Sequence, residues 1–103
     1  MKKIIIYDKL ALRELQEFDQ GVREDFVGYI DVLEAEGKLE YPEARKITKN
    51  LFEIRVKHQG EYRVFYAYIW EDSIVILHFF QKKTQKTPSR NIETAYKRLK
   101  QYE

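Results

Sequence analysis

At Leu51 the apolar residues stop recurring every three or four positions and begin to alternate, and no other feature of the chain constrains its fold as strongly. Phe52, Ile54 and Val56 alternate with Glu53, Arg55 and Lys57, the pattern of a strand with one face on a core and the other in water. Gln59-Gly60 supplies a turn, residues 61–70 form a long run rich in Tyr, Phe and Val, Glu71-Asp72-Ser73 makes the next turn, and residues 74–80 read as a third strand. Strands joined by turns this short pair with their sequence neighbours in antiparallel sense, so this stretch predicts a meander.

Upstream the period is helical. Residues 4–7 (IIIY) are a β-branched run suited to a short buried strand, and Asp8 can cap a helix in which Leu10, Ala11, Leu15 and Phe18 recur at helical spacing. Asp19 is a second N-cap candidate; Val22, Phe26, Tyr29, Ile30 and Leu33 then form one apolar stripe, and Gly37 is placed to stop the helix. The two read as a helical hairpin. Residues 38–50, with Pro42, break the pattern and are expected to be a loop with at most one short turn. Beyond the third strand, Thr87-Pro88 reads as N-cap and first helical residue, and Ile92, Ala95, Tyr96, Leu99 and Tyr102 give a closing amphipathic helix. The predicted order is β-α-α-β-β-β-α, an α+β fold with a mostly antiparallel sheet. At 103 residues, one domain over 1–103 is expected.

Composition removes several function classes. There is no cysteine, hence no disulfide framework, thiol nucleophile or thiolate metal site. Two histidines without ligand spacing make a poor metal cage, so no metal and no cofactor are expected, and no Gly-rich phosphate loop or Ser-centred elbow is present. The apolar runs fall far short of the ~18 residues of a membrane span, and the Met1-Lys2-Lys3 start lacks the features of a signal peptide, so the expectation is a cytoplasmic protein without membrane contact.

Charge is unevenly divided: residues 1–40 carry ten acidic against six basic side chains, residues 41–103 seven against thirteen. Residues 81–90 hold Lys82, Lys83, Lys86 and Arg90 with no acid, a block suited to a polyanion. Strand parity adds to it. Glu53, Arg55 and Lys57 share one face, and if Val64, Tyr66 and Tyr68 face the core, Arg63 points to the side of Arg55. Such a face has a chemical use. When a ribose 2′-hydroxyl attacks its neighbouring phosphate, charge grows on the phosphoryl oxygens and the leaving 5′-oxygen, and guanidinium or ammonium groups stabilise it without a protein nucleophile. A base must still take the 2′ proton, and the candidates are Glu53 or a lysine among crowded cations. His78, in an apolar strand, reads as a hydrogen-bonded core histidine and His58 as a solvated one, while Tyr62 and Tyr102 are candidates for stacking on a base.

The segments NLFEIRVK (residues 50–57), YRVFYAY (62–68) and ILHFFQKKTQKTP (76–88) resemble, in order and spacing, toxins of bacterial type II toxin-antitoxin modules of the RelE/ParE superfamily, closest to the HigB-like, phage-derived group. The resemblance implies the RelE fold and an mRNA endoribonuclease that cuts on the ribosome without a metal and is neutralised by a cognate antitoxin, with a helix-turn-helix fold as in HigB-like modules. It places Arg55, Arg63, Lys82 and Lys83 on the catalytic face. Glu53 stands where the RelE pattern has a lysine. Lys57, Lys86 and Arg90 are expected to hold RNA or ribosome. The antitoxin is expected either to cover the basic face or, the favoured option, to dock on the acidic hairpin at residues 19–36 and exclude the toxin from the ribosome. The ParE branch, directed at gyrase, and a non-catalytic phage remnant that binds ribosome or protein are the rival readings.

Overall fold

The computed structural model describes residues 2–40, 44–83, 85 and 89–103. In chain order they form β1 (Ile4–Tyr7), α1 (Lys9–Gln16), α2 (Gln20–Glu36), β2 (Ala44–Lys46), β3 (Phe52–Lys57), β4 (Glu61–Ile69), β5 (Ser73–Lys82) and α3 (Ser89–Leu99), which tightens into a 3-10 turn at Lys100–Tyr102. The strands make one sheet in the order β1-β5-β4-β3-β2. β3, β4 and β5 are the expected antiparallel meander, and β1 adds to β5 in parallel.

β2 corrects the reading of residues 38–50 as loop. It pairs antiparallel with β3, setting Ala44 opposite Ile54 and Arg45 opposite Glu53, so the order is β-α-α-β-β-β-β-α. The α+β class and the helical hairpin stand.

Local chemistry explains the ends of the helices. Asp8 starts α1 by accepting hydrogen bonds from the backbone N–H groups of Leu10 and Ala11 at 2.9 and 3.1 Å. Asp19 occupies the N-cap of α2 without a side-chain bond, and α2 stops where Gly37 takes φ 80°, a left-handed conformation that costs glycine nothing. The anticipated cap of α3, Thr87-Pro88, lies outside the described residues.

Helices cover both faces of the sheet. On one, Val22, Phe26, Ile30 and Leu33 of α2 meet Ile54, Val64, Tyr66, Ile76 and Phe79; on the other, Ala95 and Leu99 of α3 meet Phe65, Val75, Leu77 and Phe80. Each such large apolar side chain contributes about 1.5–3 kcal/mol by leaving water. Two expectations change as a result. The second face of β3 is not in water, since Glu53 is wholly buried, and β1 is a half-buried edge strand rather than a buried one. Leu10 lies off the apolar stripe of α1, 48% exposed. Among the described residues no helix is long and apolar enough to cross a membrane.

Candidate nucleic-acid interface

Register determines which polar side chains meet. From the turn end, Ile69 pairs with Ser73 and Tyr66 with Ile76; then a bulge at Leu77 shifts the ladder, and Phe65 pairs with His78. That one extra residue brings Lys82 opposite Glu61, where an unbroken ladder would place Gln81 and turn Lys82 to the other face. Three cross-strand rows result on the α3 side of the sheet: Lys57, Glu61 and Lys82; then Arg55, Arg63 and Phe80; then Glu53, Phe65 and His78.

Arg63 is the hub of the first two rows. Its guanidinium is only 1% exposed and bonds Glu61 Oε1 from Nη2 at 2.7 Å and the Tyr62 carbonyl from Nη1 at 3.2 Å. Its Nε stands 3.4 Å from Glu53 Oε2, too poorly aligned for a hydrogen bond, and both atoms are buried without a hydrogen-bond partner. The other oxygen of Glu53 accepts from Arg45 Nε at 3.1 Å. Burying a charge is tolerable only when it is paired, and here two arginines and two carboxylates neutralise one another. Around them the cations are in excess: Arg55 is half-buried, Lys82 partly exposed, and Lys57 and Lys83 exposed. Glu61, Lys82, Lys83 and Gln85 line an open cavity of about 380 Å³. The bond from Arg63, and then its charge, hold the Glu61 carboxyl below the usual carboxylate range, with Lys57 and Lys82 adding to the effect.

The structure thus gathers Arg55, Arg63, Lys57 and Lys82 on one face, with Lys83 on the same cavity as Lys82. Glu53 is on that face too, but enclosed, with both oxygens turned to arginines. Arg90 is exposed in the first turn of α3 and bonds no member of the cluster among the described residues; Lys86 lies outside them. Neither tyrosine reaches the cations: Tyr62 packs edge-on against Phe18 on the opposite face, 5.0 Å between centroids, and Tyr102 donates to Asp8 Oδ2 at 3.0 Å. Among the described residues no group of three or more His, Asp or Glu side chains is placed to hold a metal ion.

Sequence reasoning missed Glu61, Arg45 and a second polar cluster. His78, a hydrogen-bonded core histidine as expected, sits with Nδ1 3.0 Å from Glu14 Oε1 and Nε2 2.8 Å from Asn91 Oδ1. Arg98 bonds both oxygens of Glu14, at 2.9 and 3.0 Å, and the Leu77 carbonyl at 2.9 Å, while the Phe79 N–H donates to Glu14 at 3.1 Å. Burial pushes the Glu14 carboxyl up, but the bonds from His78 and Arg98 outweigh it and hold the group below its ordinary value.

Residues 13–100 match the family model described as phage derived protein Gp49-like (DUF891). No curated protein matches the chain. Among solved structures, an arginine double mutant of E. coli toxin RelE in the free state is 18% identical over 96% of this chain and 99% of its own, with a TM-score of 0.73. A chain of the archaeal RelE-RelB complex from Pyrococcus horikoshii is 27% identical over 79% of this chain and 96% of its own, with a TM-score of 0.61. The intact E. coli RelBE toxin-antitoxin complex gives 18%, 80%, 99% and 0.65. The resemblance read from the three sequence segments is borne out: the chain belongs to the phage derived protein Gp49-like family and has the fold of the RelE toxins.

Proposed function

We propose that this chain is the toxin of a type II toxin-antitoxin module and that it inhibits translation in the cytoplasm by cutting mRNA on the ribosome, without a metal, until a cognate antitoxin binds it. The observation that carries the reading is the convergence of Arg55, Arg63, Lys57 and Lys82 on one face of β3, β4 and β5, beside an open cavity that Lys82 and Lys83 line. A face built this way suits a phosphodiester. In the reaction, the 2′-oxygen forms a bond to phosphorus, the bond from phosphorus to the 5′-oxygen breaks, and a proton leaves the 2′-hydroxyl as another reaches the 5′-oxygen. Arg63 and Lys82 stabilise the charge that grows on the phosphoryl oxygens, each donor contributing on the order of 10²-fold. Arg63 suits the position because its planar fork can bond two oxygens at once. Glu53, enclosed between Arg45 and Arg63, orients that fork as a counter-ion; the proton acceptor in this reading is a lysine of the pair at 82 and 83.

So few groups and so open a cavity leave the positioning of the message to the ribosome, since a phosphate out of line with its 2′-oxygen does not react. The antitoxin, with a helix-turn-helix fold, needs only to keep the toxin out of the ribosomal site, which docking on the acidic hairpin achieves. The test is inducible expression with mapping of mRNA 5′ ends. Translation should stop first, with cuts in translated messages and none in purified RNA, and coexpression of the antitoxin should restore growth. Loss of DNA supercoiling with intact mRNA would instead establish the gyrase-directed reading.

A further inference from the structure

We propose that Glu61 is a built-in occupant of the phosphate seat on Arg63, a carboxylate that an incoming RNA phosphate must displace, so that RNA delivered at high local concentration is preferred over RNA met by diffusion. The identity of the displacing anion rests on the proposed action on RNA. The geometry identifies which partner of Arg63 can leave. Glu53 is wholly buried and the Tyr62 carbonyl belongs to the sheet, so neither can move away. Glu61, by contrast, has a side chain 46% exposed, lines the 380 Å³ cavity beside Lys82 and Lys83, and holds Arg63 Nη2 at 2.7 Å. Among the described residues it is the partner of Arg63 that also lines the cavity. Arg63 is 1% exposed, and Glu61 holds its Nη2, so in this proposal a phosphate arriving among the lysines takes the place of that carboxylate.

The exchange conserves charge. A phosphodiester carries one negative charge and presents two oxygens, and so replaces the carboxylate on Arg63 without leaving that buried cation unpaired. The displaced carboxylate stays between Lys57 and Lys82, its cross-strand neighbours. The poor alignment of Arg63 Nε with Glu53 belongs to the same picture, because a guanidinium drawn towards Glu61 is not seated squarely on Glu53. Glu61 is also poorly suited to be the base, since the bond from Arg63 stabilises its ionised form and weakens its hold on a proton. A seat open about one tenth of the time reduces apparent affinity about tenfold.

The test measures binding of a fluorescent, single-stranded 2′-O-methyl RNA, which cannot be cut because its attacking hydroxyl is blocked, to the wild-type chain, E61Q and E93Q. Glu93 is exposed on α3, so E93Q removes one negative charge without opening the seat. E61Q should bind about tenfold tighter and E93Q less than twofold. Inorganic phosphate should also shift the Arg63 Nε–H resonance of E61Q at concentrations that leave the wild type unmoved. Equal gains in E61Q and E93Q, or an unmoved Arg63 resonance in both proteins, would overturn the proposal. So would unchanged RNA affinity accompanied by lost cleavage on ribosomes, which would make Glu61 the base. The two readings separate. Tighter binding by E61Q with no cleavage by either protein keeps the gate and removes the nuclease; cleavage by the wild type without tighter binding by E61Q does the reverse.

Discussion

The molecule holds two clusters of buried charge, and they are finished differently. Under α1 and α3, Glu14 accepts from Arg98, His78 and the backbone of Phe79, His78 reaches Asn91, and Asp8 caps α1 while accepting from Tyr102, so each of these side chains is partnered. Between β3 and β4, Glu53 Oε2 and Arg63 Nε have no hydrogen-bond partner, and the one exposed partner of Arg63 among the described residues faces a cavity edged by lysines. A saturated network joins elements; an unsaturated one keeps interaction capacity available. By that criterion the α1-β5-α3 cluster is a clasp, and the β3-β4 cluster is the one to which the proposed function assigns a ligand's charge.

The sharpest way to break this contrast is to remove Arg63. Arg63→Met leaves the buried Glu53 with Arg45 as its remaining cation, and thermal or denaturant unfolding should show a loss of about 3–5 kcal/mol together with loss of cleavage. Adding Glu53→Leu removes the stranded charge and should restore most of the stability and none of the activity. Recovery of both would mean that the pair serves packing alone.

Lys82→Ala should produce the opposite profile. The side chain is partly exposed and bonded to no buried acid among the described residues, so unfolding should be nearly unchanged while ribosomal cleavage falls on the order of 10²-fold. A comparable fall in stability would place Lys82 in the scaffold instead.

Breaking the clasp should affect stability without affecting chemistry. Arg98→Met strands one side of the Glu14 carboxylate and should cost roughly 1–3 kcal/mol, with cleavage per folded molecule unchanged. The same cluster predicts a pH dependence. The carboxyl of Glu14 is held below its ordinary value of 4.5, so its contribution is fully present above that pH and is lost as pH falls through the lower value of the folded state. The acid limb of the stability curve should therefore flatten in Glu14→Gln; an unchanged acid limb would mean that the clasp does not discriminate between the two protonation states.

Legibility in the sequence depends on the range of each signal. The meander and the hairpin stand out because a period of two or of 3.6 is local, and parity alone placed Arg55 and Arg63 on one face. β2 did not stand out, since three residues are too few to show alternation, and with it went Arg45 and the enclosure of Glu53. Glu61 was missed for a different reason. Its meeting with Lys82 depends on the bulge at Leu77, a tertiary adjustment, and a count from the turn would pair it with Gln81. The clasp gathers residues from α1, β5 and α3, a separation across which no periodicity carries information.

The smallest effect expected is at the margin of the basic face, and it sharpens the contrast from the ligand's side. Lys57 is exposed in the outer row, and Arg90 is exposed at the start of α3, so neither has a buried charge to neutralise among the described residues. Side chains of this kind act on RNA by releasing counterions from the phosphate backbone, a contribution that fades with salt. Lys57→Ala and Arg90→Ala should each weaken binding of the 2′-O-methyl RNA severalfold in dilute salt, and each should lower the slope of log affinity against log salt by about 0.7, the value for one phosphate contact on a single strand. Arg63→Met differs in kind, because the Arg63 guanidinium is enclosed and screened little by salt, so its loss should persist at concentrations where the two marginal variants have become indistinguishable from the wild type. If Lys57→Ala kept its deficit at high salt, Lys57 would have to be counted with the enclosed cluster, and the boundary between the seat on Arg63 and its solvated margin would move outward by one row of the sheet.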